Sequence, residues 1–144
     1  MEKTLIIFKP DSLAQRCVGR VLTRFEAAGL NLCASKMLHL SESVLREHYS
    51  HLLHLEHFPK ILAFMRERPV LICVFAGEEA IKRIREMLGP TDSTVAPKDS
   101  IRGELGTDKM RNICHASDST ESAEVEIKRF FHPTEVLEVN LCLS

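Results

Sequence analysis

The chain has 144 residues, enough for one domain with an ordinary hydrophobic core, so we expect 1–144 to fold as a single domain. Its 19 Lys and Arg residues nearly balance 20 Asp and Glu residues. The protein therefore has no overall positive electrostatic field that would attract a nucleic-acid backbone or an anionic membrane. Any anion site must be local, and we expect neither nucleic acid nor a membrane as a partner.

The N-terminus and the cysteines predict where the protein resides. Residues 1–9 lack the long apolar region and the small-residue cleavage site of a signal peptide, and no run approaches a membrane span. The five cysteines are scattered and form no CxxC pair, which indicates reduced thiols that pack as small core residues. We therefore expect a cytoplasmic protein.

Three β-prone apolar runs predict the first strands of a sheet. They cover residues 4–8, 30–40 and 69–76. Gly29 stands where a glycine commonly ends a helix, after apolar residues at helical spacing: Val18, Val21, Leu22, Phe25 and Ala28. The first part of the chain therefore predicts a β-α-β unit.

Two helical segments separate the second predicted strand from the third. Ser41 or Ser43 can cap the first segment, which runs to residue 54. Pro59 can open the second segment, which runs to residue 67. Together the segments predict a helical hairpin.

A further helix and a long loop follow the third strand. Ile81, Ile84 and Leu88 recur at helical spacing, and Gly89 with Pro90 ends the helix. Residues 89–111 are largely polar and show little periodicity. Because a compact domain seldom carries so long a loop without use, this loop predicts a functional role.

The last elements complete a recognisable order. Residues 112–115 predict a short fourth strand, and the Asp118-to-Glu121 spacing of a capping box opens a helix with Ala123, Ile127, Phe130 and Phe131 on its apolar face. The order predicts an α+β, ferredoxin-like fold. In it, a four-stranded antiparallel sheet (βαββαβ) carries helices on one face, and the helical hairpin is an addition.

His115 is the first candidate for chemistry, because it lies at a strand end just before a helix N-terminus, where anions bind well. Position alone does not decide the role, since a lone histidine is more often a surface or core residue. Glu126 shares a helix face with Ala123 and Phe130 and leans toward His115 and Ser117, so it can orient an imidazole and stabilise its positive charge.

Cations for a phosphate chain come from three separate segments. Lys9 follows the first strand, Arg85 lies on the helix after the third strand, and Arg102 lies in the long loop. Arginine grips phosphate oxygens bidentately and lysine supplies a compact point charge. The sequence spacing of these three residues leaves open whether their side chains converge.

Other nucleotide and metal signatures are missing from the sequence. It contains neither a GxxxxGK[ST] loop nor a GxGxxG turn, and it lacks an HExxH pair. Four histidines recur every third residue, but steps of three drift by roughly 60° around a helix, so they fit a solvated face better than a metal site. These are His48, His51, His54 and His57.

Residues 112–119 read NICHASDS and are followed by ESA at 121–123 and EI at 126–127. This segment closely resembles the active-site signature of the nucleoside diphosphate kinases. The resemblance extends through KPD at 9–11, the pair His48-Tyr49, GPT at 89–91 and SIRG at 100–103. It covers nearly the whole chain and leaves out only the final residues.

The resemblance implies a ping-pong kinase with a ferredoxin-like core. A nucleoside triphosphate such as ATP or GTP would phosphorylate His115, and a nucleoside diphosphate such as ADP would collect the group. Mg²⁺ would travel with the nucleotide, and the chain would form a homo-oligomer, either a tetramer or a hexamer. Ser117 and Glu126 would support His115, and Lys9 would assist at the transferred group. By motif position, the contacts to phosphates and sugar would be Lys9, Tyr49, Arg85, Thr91, Arg102 and Asn112.

The sequence departs from the family pattern at several positions. Ser12 and Ala116 stand where glycine is common, and neither removes a reacting group. His57 stands where the family has an aromatic residue that stacks on the base, with Ile61 as the opposite wall. An imidazole offers less stacking area than a phenyl ring, and Phe58 is the alternative platform.

A binding or regulatory module of the same fold, with weak or no kinase activity, is the competing hypothesis. An RNA-binding version is disfavoured, because the chain has one Tyr and no Trp and shows no basic face. Retention of the labelled phosphoryl group of ATP on the protein would separate the enzyme from the module.

Overall fold

The computed structural model describes residues 1–139, and four strands in this part of the chain form one antiparallel sheet. The strands are β1 (Glu2–Phe8), β2 (Asn31–Leu38), β3 (Val70–Gly77) and β4 (Cys114–Ala116). Their order across the sheet is β2-β3-β1-β4, and every pairing is antiparallel. The predicted ferredoxin-like α+β class is confirmed.

Within the described residues, seven helices and three short 3-10 turns connect and cover the strands. The helices are α1 (Pro10–Ala14), α2 (Val18–Ala27), α3 (Glu42–His48), α4 (Phe58–Arg66), α5 (Ala80–Leu88), α6 (Ile101–Leu105) and α7 (Thr120–Phe130). The 3-10 turns are Ser50–Leu52, Ser93–Val95 and Pro133–Glu135. Within residues 1–139, no helix combines the length and the hydropathy that crossing a bilayer requires.

The central strand β1 is buried on both faces because helices cover the sheet on both sides. Leu5 and Ile7 face a core that also contains residues of α3, α4 and α7. Ile6 and Phe8 face the opposite core, which contains residues of α2 and α5. The predicted helical hairpin, α3 with α4, therefore covers the second face of the sheet together with α7.

The helix ends follow local signals, with some differences from the predicted bounds. Gly29 takes φ 84 after α2, as a helix-ending glycine does. Ser41 caps α3 by accepting a hydrogen bond from Val44 N at 3.2 Å. That helix ends at His48 and not at residue 54, because Tyr49 leaves the helical conformation and a 3-10 turn follows.

Two further bounds were predicted wrongly. The fourth strand begins at Cys114 and not at residue 112, because Ile113 takes φ 79 and cannot continue an extended strand. Ser119 caps α7 in place of Asp118, and it accepts from Ser122 N at 3.1 Å. The shift by one residue leaves Asp118 outside the helix and next to the site described below.

The long loop after α5 contains regular structure that its sequence did not predict. Ser100 caps the five-residue helix α6 by accepting from Gly103 N at 3.0 Å. A Cβ on Gly103 would lie 1.8 Å from the Pro97 carbonyl oxygen, so only glycine fits this close approach. The loop is thereby folded against itself, and Arg102 is held between its two ends.

The cysteines agree with the expectation of reduced thiols where they are described. Cys17, Cys33, Cys73 and Cys114 are free and buried. Cys142 lies outside the described residues. Burial raises the pKa of Cys73 to about 12, so this thiol is an inert core residue.

Candidate active site

His115 occupies the middle of β4, opposite Ile7 of β1, and its side chain is partly buried. Its Nε2 atom lies 3.0 Å from Glu126 Oε1 on α7. Burial raises the pKa of Glu126, but the hydrogen bonds from His115 and Ser117 outweigh it and the net pKa falls below its usual value. A carboxylate only accepts, so His115 carries its proton on Nε2 and keeps a free electron pair on Nδ1.

Ser117 holds the Glu126 carboxylate in place, and this carboxylate in turn orients the imidazole of His115. Its hydroxyl donates to Glu126 Oε1 at 2.7 Å and accepts from Leu5 N at 3.2 Å. Ser117 is fully buried, so it reaches a ligand only through Glu126. The result is a chain of hydrogen bonds from the central strand to the His115 ring.

A cavity of about 830 Å³ opens in front of His115. The structure brings candidate residues from α4, α5, α6, β4 and α7, and from the segments that connect the elements, to its walls: Lys9, Tyr49, His57, Ile61, Arg85, Thr91, Arg102, Asn112, His115 and Glu126. We call Lys9, Arg85 and Arg102 the cationic side of the cavity. His57 and Ile61 form its α4 side.

Lys9 is held at the cationic side by the loop before β4. Its Nζ atom donates to Asn112 Oδ1 at 2.8 Å and to the Met110 carbonyl oxygen at 3.3 Å. Burial, and after it the nearby Arg102 charge, lower the pKa of Lys9 to about 8. At neutral pH the amine is therefore still mostly cationic, although less firmly than an exposed lysine.

Arg102 is buried, binds backbone carbonyl oxygens and also lines the cavity. It donates to three carbonyl oxygens, those of Asn112 at 3.1 Å, Gly89 at 3.0 Å and Cys114 at 2.7 Å. Arginine has five N–H donors, and within the described residues these three bonds leave two of them for an anion. Arg85 lies nearby on α5, is exposed, and donates to the Ala116 carbonyl oxygen at 3.1 Å.

Asn112 organises this wall from a fully buried position. Its amide nitrogen donates to the carbonyl oxygens of Thr91 and Lys109 at 3.0 and 3.1 Å, while its oxygen accepts from Lys9. One lone pair of the amide oxygen is then left for a ligand hydroxyl. Thr91 is itself exposed at the cavity rim.

The backbone between Asn112 and His115 is strained and is held on both sides. Ile113 is a β-branched residue at φ 79, a conformation that costs on the order of 1–3 kcal/mol. Asp11 Oδ2 accepts from Ile113 N at 3.0 Å, and Lys9 N donates to the Ile113 carbonyl oxygen at 2.9 Å. Asp11 is thus a buried structural carboxylate of the site that the sequence did not single out.

The α4 side is more open than the cationic side. His57 is exposed and precedes the first turn of α4, and Ile61 lies one turn further along. Phe58, the alternative stacking platform, is 4% exposed and belongs to the hydrophobic core. Of these two candidates, His57 is therefore the one that faces the cavity.

His48 is the clearest error of the sequence interpretation, which placed it on a solvated helical face with His51, His54 and His57. His48 is only 7% exposed, whereas the other three histidines are exposed. Its ring packs edge to face against His115, with centroids 4.5 Å apart. The signal was present, since His48 lies three and four residues after the core positions Leu45 and Val44.

Further cavity residues had no sequence signal of their own, and among them are Glu47, Lys109 and Arg129. His48, His115 and Glu126 each offer a ligand atom within 4.8 Å of the others. Arg129 already donates to His48, however, and Glu126 already accepts from His115. This group is better described as a hydrogen-bonded cluster than as a cation site.

The fold and the site define a class of protein, namely a ferredoxin-like enzyme with an oriented imidazole beside a cationic cavity, as phosphoryl transfer requires. A family model described as nucleoside diphosphate kinase matches residues 2–136. The chain is similar to the nucleoside diphosphate kinase of Parabacteroides distasonis, with 41% identity over 98% of this chain and 92% of the relative. That of Schistosoma mansoni is 44% identical over 89% and 90%.

Solved structures give the same result. The Aquifex aeolicus nucleoside diphosphate kinase aligns with a TM-score of 0.88 and 41% identity, covering 94% of this chain and 99% of that one. A halophilic nucleoside diphosphate kinase from Halobacterium salinarum, in complex with CDP, aligns with a TM-score of 0.93 and 30% identity over 96% and 93%. The chain belongs to the nucleoside diphosphate kinase family.

Family membership establishes the reaction. The protein is a phosphotransferase that moves the γ-phosphoryl group of a nucleoside triphosphate to a nucleoside diphosphate. The family works by a ping-pong route through a phosphohistidine, binds nucleotides and generally needs a divalent metal ion. A binding module without kinase activity is not favoured by these matches.

Proposed function

We propose that His115 carries the phosphoryl group between the two nucleotides and that Nδ1 is the reacting nitrogen. The observation that carries this proposal is the contact between His115 Nε2 and the Glu126 carboxylate at 3.0 Å. It leaves the electron pair of Nδ1 free while the ring is held in place. His115 is also partly exposed to the cavity that the cations line.

The first half-reaction forms one bond and breaks one. The Nδ1 electron pair of His115 attacks the γ-phosphorus, and the bond to the bridging oxygen breaks, so that the diphosphate leaves with both electrons. Neutral imidazole needs no base to remove a proton, since Nδ1 carries none. The ring becomes positive on phosphorylation, and the Glu126 carboxylate, held by Ser117, stabilises this charge.

The second half-reaction is the reverse with another nucleotide. A terminal phosphate oxygen of the incoming diphosphate attacks phosphorus, and the P–N bond breaks to return the electron pair to Nδ1. One site then serves both nucleotides in turn. Lys9 and the two free N–H groups of Arg102 neutralise the oxygens of the transferred group, and Arg85 neutralises the phosphate chain.

The remaining contacts orient the nucleotide. Tyr49, Thr91 and Asn112 are proposed to hold the phosphates and the sugar, and the base would lie between His57 and Ile61. Stacking with few contacts to base edges makes the enzyme tolerant of different bases, so that ATP, ADP, GTP and others serve as substrates.

The proposed metal is Mg²⁺, which would enter with the nucleotide and would supply positive charge to offset that of the phosphates. The donor set fits, since the exposed carboxylates of Asp118 and Glu121 line the cavity and offer the hard oxygen ligands that Mg²⁺ prefers. Such carboxylates suit a hydrated ion that enters with its nucleotide better than a resident ion.

We also propose where the protein resides and which molecules it binds. The buried free cysteines support a cytoplasmic location, and the balanced charge supports small nucleotides as partners without nucleic acid or membrane. We further propose that residues 1–144 form one domain and that this domain assembles as a homo-oligomer, either a tetramer or a hexamer, as the family resemblance implies.

Incubation with ATP labelled at the γ-phosphate tests the central residue. The protein should retain a label that is stable to base and labile to acid, and His115→Ala should lose it while keeping its fold. His39→Ala is the matched control, because His39 is an exposed histidine outside the cavity. Full labelling of His115→Ala would overturn the assignment.

A further inference from the structure

Arg129 lies on α7, three residues after Glu126, and points at the histidine behind the active site. Its Nη1 atom lies 2.8 Å from His48 Nδ1, and its Nε atom lies 3.4 Å from Glu47 Oε1. The Arg129 side chain is only 12% exposed. A guanidinium group donates and never accepts, so His48 must accept at Nδ1 and carry its own proton on Nε2.

His48 in turn packs directly on the nucleophile. Its ring meets the His115 ring edge to face, with centroids 4.5 Å apart, and it also contacts Tyr49 and Phe130. Among residues 1–139, its Nε2 atom has no hydrogen-bond partner. The Nδ1 contact with Arg129 therefore fixes both the tautomer and the orientation of this buried ring.

We propose that Arg129 is a positioning residue that fixes His48 as the neutral Nε2–H tautomer and, through it, holds the His115 ring with Nδ1 toward the cavity. This inference rests on the proposed role of His115. Two residues on one face of α7 then orient the His115 ring. Glu126 anchors one nitrogen of His115 directly, and Arg129 supports the ring through His48.

The charges around His48 indicate what losing Arg129 would do. Burial lowers the pKa of His48 to about 3, His115, Arg129 and His51 also lower it, and Glu126 raises it. Glu47 is a further charged group close by, since its carboxylate lies 3.4 Å from Arg129 Nε. Without Arg129, the Nδ1 atom loses its donor and a repelling cation, while Glu126 still favours protonation, so the pKa of His48 must rise.

A protonated His48 would oppose the reaction. It would place a positive charge against the ring that itself becomes positive on phosphorylation, with the two centroids 4.5 Å apart. Removal of Arg129 should therefore slow turnover more as the pH falls. Nucleotide binding should change less, because Arg129 supports the nucleophile and not the phosphates.

The test compares Arg129→Met, Arg129→Lys and the control Lys128→Met, which alters an exposed cation on the same helix. We expect Arg129→Met to lower kcat on the order of tenfold through misplacement of the ring, with little change in KM. The acid limb of its kcat profile should move to higher pH. Arg129→Lys keeps the charge and a donor and should recover most of kcat, and Lys128→Met should match the wild type.

Histidine ¹⁵N NMR of the nucleotide-free wild type reads the tautomer without any assay of activity. His48, identified by the signal that His48→Gln removes, should show a protonated Nε2 and a bare Nδ1. A wild-type His48 with its proton on Nδ1, or an unchanged kcat profile in Arg129→Met, would overturn the inference. Because the spectrum is independent of phosphorylation, failure of the His115 assignment would be seen separately, as full labelling of His115→Ala.

Discussion

The two sides of the cavity differ in how firmly the protein holds its own groups. On the cationic side, Arg102 is 6% exposed and makes three bonds to backbone carbonyl oxygens, and Lys9 is bound to Asn112. On the α4 side, His57 is exposed and stands at a helix start. Phosphoryl transfer requires charges in fixed positions, whereas the proposed stacking of different bases needs only a loosely defined surface.

Changes on the fixed side should therefore cost far more than changes on the open side. The largest effect is expected from Glu126→Gln, which keeps the shape but removes the charge proposed to stabilise the phosphorylated imidazole. By analogy with the loss of one preorganised electrostatic contact, kcat should fall on the order of 100-fold. Steady-state kinetics measure the effect.

Glu124→Gln is the matched control for that prediction, because Glu124 is an exposed carboxylate on the same helix. It should leave kcat unchanged. A Glu126→Gln variant with wild-type kcat would mean that the carboxylate only orients the ring and does not stabilise its charge.

Arg102→Lys should have the next largest effect, because a lysine keeps the charge but cannot reproduce three bonds to separate carbonyl oxygens. We expect the free energy of unfolding to fall by about 1–3 kcal/mol, since buried acceptors lose their donors. The value of kcat/KM should fall at the same time. Arg20→Lys, at an exposed position, is the control, and an unchanged kcat/KM for Arg102→Lys would reduce Arg102 to a structural role.

The lowered pKa of Lys9 predicts that kcat/KM depends on pH on the alkaline side. Burial lowers the pKa of Lys9 to about 8, so the amine is cationic below this value and loses its charge as the pH rises through it. The value of kcat/KM should then fall roughly tenfold per pH unit on the alkaline limb. In kcat the limb should lie at higher pH, because bound phosphates favour the charged amine.

Lys9→Arg sharpens this test, since arginine stays charged across the range. Its alkaline limb should be absent even if its overall rate is lower. Lys128→Arg, on the protein surface, should keep the wild-type profile. Persistence of the limb near pH 8 in Lys9→Arg would assign it to another group.

The smallest effect is expected on the α4 side. His57→Phe enlarges the stacking surface and should tighten ADP binding by about 1 kcal/mol, the scale of one aromatic pair. KM should fall more than kcat changes. His54→Phe alters an exposed histidine outside the cavity and should leave the dissociation constant unchanged, and equal values for His57→Phe and wild type would remove His57 from the base site.

The same contrast explains what the sequence predicted. Strands and long helices were predicted from periodicity. His115, Ser117 and Glu126 could be proposed as one site because they lie within 12 residues of one another, on β4, α7 and the turn between them. Convergence of Lys9, Arg85 and Arg102 was left open, since nothing local encodes contacts between residues far apart in the chain.

Other features were missed for identifiable physical reasons. Helix α6 has five residues, too few for a periodic pattern. The positive φ of Ile113 is held against the residue's own preference by two hydrogen bonds, one that Ile113 N donates to Asp11 and one that Lys9 N donates to the Ile113 carbonyl oxygen. His48 was predicted to be solvated from its three-residue repeat with exposed histidines. Its spacing of three residues from Leu45 instead places it on the buried face of α3.

Identification of the phosphorylated nitrogen shows directly whether His115 reacts through Nδ1. After brief reaction with γ-labelled ATP and removal of nucleotide, alkaline digestion and separation of the phosphohistidine isomers show which ring nitrogen holds phosphorus. Because Nε2 is bound to Glu126, we expect the Nδ1 isomer, on the peptide that contains His115. The Nε2 isomer, or a label on another residue, would contradict it.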